Sequence, residues 1–163
     1  MKNQMLIGVL IMMATVFMIG NLTARNGASM NKETMENLST AMHGEAFAYA
    51  KYMLFAQHAR QSGNTELATL FENAAKTERF EHLAEEAKIA GLVGTDADNL
   101  KNAIEGESYE VDTMYRQFAE QAAAAGDKVA ADRFEEIRHD EMKHRDAFKA
   151  ALTQVEKNSA TGK

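Results

Sequence analysis

Ala130–Val155 reads AADRFEEIRHDEMKHRDAFKAALTQV. At helical spacing, Ala130, Phe134, Ile137, Glu141, His144, Phe148, Ala151 and Val155 share one face, an apolar stripe of the kind that packs inside a helix bundle. Glu141 and His144 interrupt that stripe at mid-height. Three other segments repeat the pattern. Leu38, Ala41, Glu45, Ala48, Tyr52, Phe55 and Ala59 carry one carboxylate among them. Leu100, Ala103, Glu107, Glu110, Met114, Phe118 and Ala122 carry two, and Glu78 and Glu81 follow Leu67, Phe71 and Ala74. A carboxylate buried without a partner costs several kcal/mol. Lysine is absent from these stripes at that level, so a pair of divalent or trivalent cations is the simplest counter-charge. A lone Glu–His pair at i,i+3 is common on helix surfaces; four stripes in register are not.

The segments around these stripes read as helices throughout. The chain has no proline, and alanine, glutamate, lysine and methionine are abundant. Glycines mark the ends. One helix is expected from about Lys32 to Ser62, a second from about Thr65 to Ala90, a third to Ala125 and a fourth from Gly126-Asp127 to about Glu156. Thr95, Asp96 and Asp98 are candidate caps for the third. The two hairpins repeat each other: Phe71 and Phe134 follow Gly63 and Gly126 by the same interval, as do Glu78 and Glu141. A binuclear site needs equivalent ligands from both halves, which a duplicated hairpin supplies. Two hairpins joined by a longer crossover predict an all-α, ferritin-like four-helix bundle over residues 31–156, followed by a disordered tail over 157–163.

Residues 1–30 differ from the rest. Lys2 precedes an apolar run from Met5 to Ile19, short for a bilayer crossing and suited to an export signal or a membrane anchor over about residues 5–20. A periplasmic or cell-envelope location is the expectation. With Lys2 and Arg25 set aside, 16 basic residues face 24 acidic ones in the remaining chain, which argues against nucleic acid as a partner. The chain has no cysteine, which excludes disulfides, thiolate catalysis and iron–sulfur clusters.

At the carboxylate positions the chain resembles the rubrerythrin family, over roughly Glu36 to Leu152. The resemblance is carried by Gly44-Glu45, by the run from Ala103 through Gly106, Glu107 and Tyr109 to Glu110, and by Glu141 with His144. The paired glutamates of that third-helix run separate rubrerythrins from simple ferritins. The resemblance implies two iron ions, with manganese or zinc also compatible, held by Glu45, Glu78, Glu107, Glu110, Glu141 and His144. Glu78 and Glu141 would be the bridges, and Tyr52 and Tyr115 match the family's tyrosines behind the ligands. In the second helix the family has Glu-x-x-His. Counted from the turns, Glu81 takes the position of His144, and His82 comes one residue late. Either Glu81 ligates, or a π-bulge turns His82 inward.

The resemblance further implies a di-iron peroxidase that reduces hydrogen peroxide, works as a homodimer and takes electrons from an external, rubredoxin-type donor, since four cysteine ligands of its own are missing. A ferroxidase or iron store reacting with oxygen is the alternative, and a metal-free structural bundle is the third reading. His43, His58 and His139 fall off the ligand faces and are expected to be structural or surface residues. The methionines outside the leader read as core filler.

Overall fold

The computed structural model describes residues 30–161, so the expected leader lies, apart from Met30, outside the described residues, as do residues 162 and 163. All regular structure in this range is helical: α1 Lys32–Gln61, α2 Thr65–Thr77, α3 Leu83–Ala90, α4 Asp96–Tyr109, α5 Tyr115–Ala125 and α6 Lys128–Ala160. A π turn, Glu78–His82, fuses α2 to α3, and another, Glu110–Met114, fuses α4 to α5, which leaves four long rods.

The helix ends follow from local chemistry. Asn31 and Asn64 accept hydrogen bonds from the backbone N–H groups of Glu33 and Leu67. Thr95 and Asp98 cap each other's end of α4 reciprocally. Thr95 is therefore the cap among the three candidates, and the segment joining the hairpins is only Gly91–Thr95. Gly91 and Gly126 close α3 and α5 in the left-handed conformation that side chains disfavour. The tail departs from expectation. α6 runs past Glu156 to Ala160, because no glycine stops it, Lys157 sits favourably in its last turn and Gln154 donates to Asn158.

In the first hairpin, α1 packs along α2 and α3; in the second, α6 packs along α4 and α5. Alanines make the close approach in the first: Ala56, Ala59, Ala68 and Ala75 are almost fully buried. Arg60 forks onto both Glu72 carboxylate oxygens, at 2.6 and 2.7 Å, near the turn. Both hairpins hold the same aromatic triad. Tyr52, Phe55 and Phe71 meet with ring centroids 5.3–6.5 Å apart, and Tyr115, Phe118 and Phe134 meet at 5.6–6.3 Å.

Among the described residues, no helix of the first hairpin touches a helix of the second. The apolar stripes are consequently only half covered. Among the described residues no large side chain is fully buried, and Phe55, in the middle of its stripe, is 44% exposed. No described helix is long and apolar enough to cross a membrane.

Candidate metal centre

The stripes bring their polar residues together in two groups of identical composition. Glu45, Glu78 and His82 form one, and Glu107, Glu141 and His144 the other; in each, one ligand atom per residue lies within 4.8 Å of the others. His82 Nδ1 stands 2.8 Å from Glu78 Oε2 and 3.8 Å from Glu45 Oε2. His144 Nδ1 stands 2.6 Å from Glu141 Oε2 and 3.9 Å from Glu107 Oε1. The two geometries are near copies.

His82 thus takes the position that the hairpin count gives to Glu81, and Glu81 is not part of the group. The π turn is the reason. It spreads Glu78–His82 over an extra residue, so that i,i+4 does in the first hairpin what i,i+3 does in the second. The second π turn makes the reciprocal correction. Tyr52 follows Glu45 by seven residues and Tyr115 follows Glu107 by eight, and Glu110–Met114 absorbs the difference. Each hairpin has one inserted residue, each on a different helix, and each insertion is taken up beside the ligands so that the face is preserved.

Glu110 lies at the start of the second π turn, half-buried beside the Glu107 group. Burial, followed by the charge of Glu141, pushes its carboxyl above the ordinary range. Glu107 is raised first by burial and then by a hydrogen bond shared with Glu141. Glu45 is raised chiefly by the hydrogen bond it shares with Glu78. His82 is raised mainly by its hydrogen bond to Glu78. Burial pushes the Tyr115 phenol up, and the charges of Glu110, Glu141 and Glu107 add to the rise. Tyr52 stacks on Phe71 two helical turns beyond Glu45.

Carboxylates crowded closely enough to share protons are suited to hold a cation. Glu107 Oε2 is closed off from solvent and has no hydrogen-bond partner. Oxygen donors joined by imidazole suit iron, manganese or zinc, and the residues present fit a pair of such ions. One carboxylate was not legible as a site residue in the sequence. Glu86 Oε2 is likewise closed off without a partner, and its charge helps to raise Glu45. The equal steps Glu78, His82, Glu86 put all three on one face once the π turn is counted; the matching position after His144 is Phe148. His43 Nδ1 faces the Ser39 carbonyl at 2.6 Å, and His139 faces Glu135 at 3.4 Å; neither belongs to a ligand group.

Comparison with known proteins agrees with this geometry. The rubrerythrin family profile matches residues 36–91 and 78–152. A putative rubrerythrin of Methanocaldococcus jannaschii is 34% identical over 149 residues, which cover 78% of this chain and 73% of the relative. A rubrerythrin of Porphyromonas gingivalis is 32% identical, covering 84% of this chain and 74% of its own. A nigerythrin of Nitratidesulfovibrio vulgaris is 32% identical, with 76% and 67% covered.

Proposed function

Because the chain belongs to the rubrerythrin family of di-iron proteins, we propose that it reduces hydrogen peroxide to water with electrons from a separate redox protein. The observation that carries this reading is the matched Glu, Glu, His group in each hairpin, with Glu110 as the extra carboxylate beside one of them. The iron-storage alternative leaned on a carboxylate-rich set that included Glu81; the grouping of His82 with Glu45 and Glu78 favours the peroxidase reading instead.

Glu45, Glu78 and His82 would hold one side of the metal pair, and Glu107, Glu141 and His144 the other. When bound, the two ions supply the electrons that cleave the O–O bond. The protein's own part is charge and proton control. The carboxylates offset the metals' positive charge, and as anions they become stable only once the cations are present. Tyr115, whose raised phenol stays protonated at neutral pH, offers an O–H donor next to Glu110 and Glu141. Glu110, half-buried beside the Glu107 group, would add a further carboxylate to that side of the metal pair. The sequence holds no cysteine that could relay electrons, which fits a separate redox protein as the donor. The apolar run Met5–Ile19 supports placing this activity in the cell envelope.

The test is stopped-flow oxidation of the reduced, metal-loaded protein by peroxide and by oxygen. Oxidation faster by peroxide supports the proposal; faster oxidation by oxygen, with uptake of further iron, supports a ferroxidase instead.

A further inference from the structure

One carboxylate on the ligand face takes no part in the Glu, Glu, His group of its hairpin. The π turn ends at His82 and α3 begins at Leu83, so Glu86 stands one ordinary helical turn beyond His82, about 6 Å further along the axis. α3 packs on α1, the helix that carries Glu45, and Ala90, one more turn along the same face, is only 5% exposed. The Glu45 carboxyl, raised chiefly by its hydrogen bond with Glu78, is raised further by the charge of Glu86, which puts the two within electrostatic reach of each other.

As a packing residue Glu86 is poorly accommodated. Among the described residues two side-chain oxygens are closed off from solvent with no hydrogen-bond partner: Glu107 Oε2, which belongs to a ligand group, and Glu86 Oε2. A carboxylate oxygen in that state destabilises the fold. The duplicated hairpin supplies the control. Four residues after His144 the corresponding position is Phe148, and the next turn carries Leu152 where α3 has Ala90. Packing at this place is satisfied by an apolar side chain, so the carboxylate of the first hairpin needs another reason. The charge nearest to hand is a cation held by Glu45, Glu78 and His82.

We infer that Glu86 is a positioning residue of the metal centre: its carboxylate stands behind Glu45, adds a sixth negative charge to the site and favours trivalent over divalent cations there. The inference rests on the reading that the paired groups hold two metal ions. Glu86 lies outside the group whose atoms converge, so it acts through Glu45 and through the field at the cation, not as a ligand. Glu45, Glu78, Glu107, Glu110 and Glu141 offset two divalent ions, and among the protein's own groups they fall one charge short of two trivalent ones; Glu86 closes that gap. Coulomb attraction grows with the charge of the cation and is strong away from bulk water. The sixth carboxylate therefore holds the oxidised pair more firmly than the reduced pair. The ferrous pair, giving up one electron per iron, becomes a stronger reductant toward peroxide, and the external donor must return those electrons at a lower potential. The two ends of the centre also become unequal, with a carboxylate beyond His82 and a phenyl ring beyond His144.

The test uses three variants of the whole chain, each checked for helix content by circular dichroism. Glu86→Gln keeps the shape and removes the charge, Glu86→Leu installs an apolar side chain as in the second hairpin, and Glu85→Gln removes a charge from the exposed neighbour on the same helix. Metal-free Glu86→Leu should melt above the metal-free wild type, because an unpartnered buried oxygen is gone. In competition with a chelator, Glu86→Gln should bind zinc about tenfold more weakly than wild type. Its iron midpoint potential, followed by absorbance in a redox titration, should shift to a more positive value, and Glu85→Gln should move neither quantity. A gain of stability without metal, joined to a loss of hold on metal, is an outcome that a structural residue does not give. An unchanged midpoint or zinc affinity in Glu86→Gln, or a metal-free Glu86→Leu that melts below wild type, overturns the inference while leaving the metal centre standing. A wild-type chain that binds neither zinc nor iron overturns the reading on which it rests.

Discussion

His82 and His144 make the same contact at different sequence spacings: 2.8 Å to Glu78, four residues back, and 2.6 Å to Glu141, three residues back. The backbone differs so that the chemistry does not. A π turn is rare and poorly bonded for a helix interior, so its place beside a ligand pair in each hairpin ties the local irregularity to the site.

His82→Ala should therefore weaken binding of one metal by at least about tenfold, since even groups behind a ligand matter by that factor. Glu81→Ala should leave both metals bound. Competitive titration with a chromogenic chelator distinguishes the two, and the reverse ranking would return Glu81 to the ligand set.

Deleting Phe80 should convert the π turn to ordinary α-helix and give the first hairpin the Glu-x-x-His spacing of the second. Helix content and metal binding should persist. Deleting Ala87 instead, past the π turn, should displace the buried Ala90 and the end of α3 and lower the unfolding midpoint. Equal damage from both deletions would contradict the insertion argument.

The fold was legible because its signals are local and repeated. Apolar stripes at helical spacing, glycines at the turns and Asn or Thr caps define the rods without knowledge of their packing. Which residue joins Glu45 and Glu78 was not legible, because counting residues assumes a uniform helix: Gly63 to Glu81 matches Gly126 to His144, and only a change in helical pitch at Glu78–His82 brings His82 to the group. Glu86 stayed hidden for the same reason, since it joins the ligand face only after the extra residue is absorbed. The open relation between hairpins was hidden too. A stripe shows that a face must be covered, and says nothing of which chain covers it.

The stability of the metal-free protein should depend on pH in a direction set by the crowded carboxylates. Glu45, Glu107 and Glu110 titrate above their ordinary 4.5 when folded. The folded state then holds more protons than the unfolded one, and stability falls as pH rises from about 4.5. His82, raised above its ordinary 6.5, adds stability that is full below that pH and is lost above it. Asp98, Glu135 and Asp140 are lowered and act the other way, below their ordinary range. The melting temperature of chelator-treated protein should accordingly fall between about pH 4.5 and pH 7.5. Metal should abolish that slope, and Glu107→Gln should flatten it without metal. A slope of opposite sign would refute the carboxylate crowding.

Thr95→Ala removes one half of the reciprocal cap on α4, at the junction between the hairpins. It should cost about 1 kcal/mol in urea denaturation, with the amide of Asp98 losing protection from hydrogen exchange. Thr95→Ser should restore both.

The most direct test of the account is the metal content of protein purified from iron-supplied cells and measured by mass spectrometry, in wild type and in the quadruple variant Glu45→Ala, Glu78→Ala, Glu107→Ala, Glu141→Ala. Two irons per wild-type chain and none in the variant would confirm that the paired Glu, Glu, His groups form one binuclear centre. A wild-type chain without bound metal, or a variant that keeps it, would contradict that claim.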